Sequence, residues 1–183
     1  MARNWSGMIA RVRSIPDPGF AGDDGGVDPV VAAALAVYDA ALEAKAPDPH
    51  RAALAALQDA RVLVPVVSLL GEVAYDDQGL AHDKTSDMAC VLMSGRDGRT
   101  ALLAFTGSAS LTRWNSEARP VPVGLRQAAR AALQDEASAV LLDVAGPVMF
   151  VVEKEDLGSL AQGHRLVRVQ ERWAWVSPGL TPG

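Results

Sequence analysis

At 183 residues the chain suits one domain that buries most of its unfolded apolar surface, and 49% hydrophobic with 21% charged residues is a globular balance. A net charge of −5 and scattered basic residues exclude phosphate-driven binding to nucleic acid or an anionic membrane, which needs clustered Lys and Arg. One cysteine, Cys90, excludes an internal disulfide, and no stretch approaches the roughly 20 apolar residues of a membrane-spanning helix.

Residues 1–13 lack the run of about seven apolar residues that opens a secretory leader, so the cytoplasm is the expected location. Trp5, Met8, Ile9 and Val12 alternate with Arg3, Arg11 and Arg13. They suit an amphipathic turn docked on a partner or on the domain itself, or else a disordered terminus. Residues 14–27 concentrate Pro, Gly and Asp and read as a flexible lead-in.

Asp28–Pro29 then signals a helix start, and Val31, Leu35, Tyr38 and Leu42 form one apolar stripe. Asp48–Pro49 repeats the signal before a shorter helix with Leu54 and Leu57 inward, which makes an antiparallel helical pair. Residues 61–70 are β-branched and apolar, and Pro65 marks this strand as an edge or a bulged one. After the polar loop 76–87, strands at 88–94 and 99–105 flank Gly95–Arg96–Asp97–Gly98 and predict a β-hairpin.

Thr106–Gly107–Ser108 turns the chain, and Ser108 or Ser110 is suited to cap a short helix carrying Leu111 and Trp114. A brief strand at Pro120–Val123 precedes a helix with Leu125, Ala128, Ala129, Ala132 and Leu133 inward. Strands follow at 139–144 and 148–152, then a helix from Glu153 to Gln162 that Gly163 ends. Leu166–Val169 and Trp173–Val176 suggest a terminal hairpin, with Trp173 and Trp175 on one face capping the core. The alternation from 99 to 144 implies right-handed crossovers and some parallel pairing. The predicted class is therefore α/β in the α+β sense: a mixed β-sheet of about five strands with packed helices and an N-terminal helical pair. Residues 1–27 are expected as a flexible N-terminal segment, 28–163 as the domain, and 164–183 as a C-terminal extension.

The run DMACVLMSGRDGRTALLAFTGSASLTRW at 87–114, with AVLLDVAGPVMFVV at 139–152, resembles the SseB family, specifically its N-terminal domain. The resemblance spans roughly residues 30–162 and implies a bacterial protein of single-domain form. It carries over no catalytic mechanism and no cofactor. Longer members have a second domain, and the family's loose type III secretion label finds no secretion signal in these residues.

Among the residues that could do chemistry, Asp76, Asp77, His82, Asp83, Lys84 and Asp87 gather in one loop. Carboxylates beside an imidazole suit cation binding or acid–base work, but the spacing fits neither an EF-hand nor HExxH. A solvated or partner-contacting loop is the plainer reading. Gly107–Ser108–Ala109–Ser110 lacks the glycine spacing of a nucleophile elbow, although a helix start is a natural anion site. Cys90 reads as buried packing, His50 as exposed, and three scattered histidines form no metal site.

The candidate binding residues are thus His82, Asp83, Lys84, Asp87, Ser108 and Trp114, with no catalytic residue, metal or cofactor expected. The sequence points to a non-catalytic module that binds a protein partner, a second copy of itself or a small ligand. Its alternative is a small enzyme using loop 76–87 and the Ser108 helix start.

Overall fold

The computed structural model describes residues 5–12, 20, 22–68 and 88–179. Seven strands form one mixed sheet where about five were expected: β1 (Trp5–Val12), β2 (Arg61–Ser68), β3 (Met88–Gly95), β4 (Thr100–Ala104), β5 (Arg119–Gly124), β6 (Ala139–Leu142) and β7 (Phe150–Glu153). The path runs β5-β2-β3-β4-β6-β7, and β1 adds to β3. Five helices accompany it: α1 (Pro29–Glu43), α2 (Pro49–Leu57), α3 (Ser108–Trp114), α4 (Leu125–Gln134) and α5 (Lys154–Ala161). The last strands, β8 (Arg165–Val169) and β9 (Arg172–Val176), pair only with each other. This is the α+β class that the sequence predicts.

The hairpin at 88–104 forms as read, with Gly98 at φ +77° and Gly95 N–H donating to the Arg99 carbonyl at 2.7 Å. The crossover from β4 to β6 is parallel, as the strand–helix alternation requires. The β1 residues, read as an amphipathic turn or a loose terminus, instead pair antiparallel with β3 from Ala89 to Gly95. The free edge of β3 supplies hydrogen-bond partners that composition alone does not reveal.

Pro65 does not mark an edge, because β2 lies between β5 and β3. It marks a change of partner. Val66–Ser68 pair with β3, whereas Leu63 exchanges two backbone hydrogen bonds with Phe105, at 2.7 and 2.8 Å. Backbone groups alternate sides along a strand, so Pro65, like Leu63, faces away from β5. Its partner Pro120 likewise faces the open edge, and neither proline removes a β2–β5 ladder bond.

Both faces of the sheet are covered, which explains the near-continuous apolar runs. On one face Val62, Val64, Leu92, Leu102, Val140 and Phe150 meet α1, α2, α4 and α5. On the other, Leu63, Val91, Leu103, Phe105 and Leu141 lie under Leu111 and Trp114 of α3. Cys90 is 2% exposed in the larger core. In α1 the stripe turns inward only at Val31 and Leu35, with Tyr38 half-buried and Leu42 exposed. In α4 Leu133 is likewise exposed.

The helix ends follow local chemistry. Asp28 caps α1 by accepting from the Val30 N–H at 2.7 Å, but Asp48 takes a left-handed conformation and makes no such cap. Helix α5 ends at Gly163 (φ +81°), where Gly163 N–H and His164 N–H donate back to Leu160 and Ser159. The same closure ends α1 and α4, but with Lys45 (φ 52°) and Glu136 (φ 57°) in the left-handed position. A side chain there costs about 1 kcal/mol relative to glycine. Lys45→Gly and Glu136→Gly should each raise stability by about 0.5–1 kcal/mol, read as a higher urea midpoint at unchanged m-value.

Candidate functional site

Two places outside the apolar core bring polar side chains together. The first lies at the carboxyl ends of the parallel pair β4 and β6. Asp143 follows β6, is 0% exposed, and sits at φ 51°, a conformation Asp tolerates better than most residues. Its Oδ1 accepts from the Thr106 N–H at 2.9 Å and the Ser110 hydroxyl at 2.6 Å. Its Oδ2 accepts from the Thr106 hydroxyl at 2.6 Å. Both carboxylate oxygens therefore have donors, and the cluster works as a staple that ties the end of β6 to the turn before α3.

Residues 22–27, read as flexible lead-in, cross over this turn. The Gly25 carbonyl accepts from both the N–H and the hydroxyl of Ser108, at 2.8 and 3.0 Å. Arg61 clamps the same segment: its guanidinium pairs with Asp23 at 3.0 Å, donates to the Gly26 carbonyl, and reaches the Thr106 carbonyl at 2.9 Å.

Ser108 is therefore the first residue of α3, and the N-cap is Gly107 with no side-chain cap bond. Neither Ser108 nor Ser110 caps the helix as the sequence suggested. The Ser108 amide that would meet an anion is already bonded to Gly25. Trp114 packs its ring 5.4 Å from Phe105 and is half-buried against the smaller core. His82, Asp83, Lys84 and Asp87, with the rest of loop 76–87, lie outside the described residues.

The second place is one the sequence did not single out. A cleft of about 640 Å³ opens between the helical pair and the β7–α5 segment. Phe150 of β7 is fully buried behind two of the lining residues: the His50 ring stacks on it at 4.7 Å, and the Tyr38 ring stands nearly perpendicular to it at 5.1 Å. His50, read as exposed, is half-buried, and its Nε2–H donates to the Val151 carbonyl at 2.8 Å. Burial first, and then the nearby Asp39 carboxylate, raises the Tyr38 phenol above its usual range. Asp156, 6% exposed, accepts from the Trp175 indole N–H at 3.0 Å. The Arg51 guanidinium stands 4.0 Å from the same carboxylate.

This cleft has no local sequence signature. His50 and Val151 lie 101 residues apart, and only β7's place on the sheet brings them together. Trp175 reaches Asp156 because the terminal hairpin is docked. The buried Gln58 amide pairs with Leu166 of β8 in both directions, at 2.8 and 3.3 Å. Trp173 and Trp175 cap the larger core, as their alternation suggested.

Among the described residues, no cluster of His, Cys, Asp and Glu could hold a metal ion, and no helix is long and apolar enough to cross a membrane. No curated protein and no solved structure shows a significant match to the chain.

Truncating the staple tests its weight. Asp143→Ala orphans the Thr106 N–H and hydroxyl, while the Ser110 hydroxyl keeps the Gly107 carbonyl at 2.9 Å, and should cost about 3–5 kcal/mol in chemical denaturation. Thr106→Val, which removes one hydroxyl, should cost about 1–2 kcal/mol. Equal losses in the two variants would contradict the staple. The SseB protein N-terminal domain family matches residues 36–159, more than half of the sequence, and the chain belongs to that family.

Proposed function

We propose that this SseB domain is a non-catalytic binding module, and that the cleft between the helical pair and the β7–α5 segment receives its protein partner or small ligand. The observation that carries this reading is the make-up of the cleft. The rings of Tyr38 and His50, backed by the buried Phe150, adjoin exposed apolar surface from Leu42 and Met149 and the charged groups Arg51 and Asp156. Concave apolar surface with a few convergent polar groups is the usual form of a ligand site. A cytoplasmic location belongs to the same reading.

The alternative, a small enzyme using loop 76–87 and Ser108, draws no support from the described residues. The Ser108 hydroxyl is donated to a backbone carbonyl, and no described base accepts its proton. The Thr106 and Ser110 hydroxyls are both donated to Asp143.

Tagged protein isolated gently from its native cell should retain a partner or ligand, and Leu42→Glu should lose most of it. Leu42 is 48% exposed, so this substitution spares the core. Ser108→Ala should leave capture unchanged. Equal retention by wild type and Leu42→Glu, or loss only in Ser108→Ala, would overturn the reading.

A further inference from the structure

The cleft has a charge character beyond its shape. Asp48, Glu153, Glu155 and Asp156 line it, and Arg51 is the one fixed cation among its lining residues. The His50 Nε2–H is committed to the Val151 carbonyl. Arg99 lies 3.7 Å from Glu153 and partly offsets that carboxylate. The balance still favours a positive guest.

Asp156 gives the sharpest indication. Its side chain is 9% exposed, yet only Oδ1 is engaged, by the Trp175 indole at 3.0 Å and more distantly by Arg51 at 4.0 Å. Among the described residues no hydrogen-bond donor reaches Oδ2, and Asp156 is part of the cleft lining. Asp156 Oδ2 is not sealed from solvent, so it can take a charge-assisted donor from outside the chain. Tyr38 lines the same cleft, and Leu42, Met149 and Val151 offer apolar surface to an aliphatic stem.

Resting on the binding-module reading above, we propose that the cleft takes an organic cation: a primary ammonium or guanidinium on a short aliphatic stem. The charged head donates to Asp156 Oδ2, and the stem lies along Leu42 and Met149. A basic side chain of a partner protein and a free aliphatic amine share this chemistry.

Titration of isotope-labelled protein at constant ionic strength tests the assignment. The cationic probes are cadaverine and a short peptide carrying one Lys and one Arg; hexanoate and hexanol are the anionic and neutral probes. The Trp175 indole N–H resonance reports directly on Asp156. The expected result is a saturable shift with at least one cationic probe and none with hexanoate. Tighter binding of cadaverine identifies a free amine, and tighter binding of the peptide a protein side chain.

Glu155→Gln, an exposed change, should weaken the interaction about two- to fivefold. Asp156→Asn should weaken it about tenfold or more. The absence of a saturable shift with both cations, or a shift that Glu155→Gln leaves unaltered, overturns the proposal. A saturable response to hexanol or hexanoate alone overturns the cationic assignment and leaves the binding-module reading standing. Silence of all four probes together with Leu42-independent capture overturns both.

Discussion

The Asp143 carboxylate is the polar constraint on which the rest of the fold depends. It lies at the end of β6 with no exposed surface, and a lone charge there would be severely penalised. Thr106 and Ser110 supply the donors, and both belong to the turn that carries the chain from β4 into α3. The position of α3 is thereby set against the parallel pair β4 and β6. Leu111 and Trp114 then fall over Phe105 and Leu103 and close the smaller core. The polar cluster and the apolar lid are one arrangement, because the carboxylate aims the helix that buries the sheet.

The same turn also explains how segment 22–27 becomes ordered structure. Gly107 has no side chain, and a Cβ there would come within 2.5 Å of Val27 Cγ2. The close approach lets one carbonyl, that of Gly25, satisfy both donors of Ser108. Arg61 completes the contact from β2 by bridging the segment and the Thr106 carbonyl. Chemistry that looks from the sequence like a phosphate-ready helix start is thus used internally. Composition flagged 14–27 as a lead-in because Gly, Pro and Asp do not make regular structure, and that remains true of 22–27. Irregular backbone can still be held firmly when its carbonyls meet fixed donors.

Legibility in the sequence followed the range of the interaction. Elements set by local periodicity or turn chemistry were readable: the 88–104 hairpin, the α1 start at Asp28, the α5 stop at Gly163 and the β8–β9 pair. Features that depend on distant partners were not. Strand β1 exists through the edge of β3, some eighty positions away, and the exposure of Leu42 depends on where β7 and α5 pack. Pro65 was read as an edge or a bulge, and its actual place, at a change of partner inside the sheet, depended on Phe105. Of the six candidate binding residues, Ser108 and Trp114 prove to be engaged within the fold. The other four lie outside the described residues. The cleft at His50 and Asp156 was invisible because its walls come from four separate elements.

That distribution of walls bears on function. The cleft is assembled from the helical pair, from β7, and from α5 with the terminal hairpin behind it, so its shape reports the correct packing of the whole chain. Gln58 fixes β8 by bonding both ways to Leu166, and through β9 it delivers the Trp175 indole to Asp156. The indole satisfies one carboxylate oxygen and leaves the other to the cleft. Had Arg51 come within hydrogen-bond distance, the site would be a closed internal ion pair. At 4.0 Å, with over a third of its side chain exposed, it is a weak competitor that an incoming donor can outmatch. In the proposed complex the Trp175 indole already holds Oδ1, so the carboxylate needs little reordering when Oδ2 meets a guest's donor.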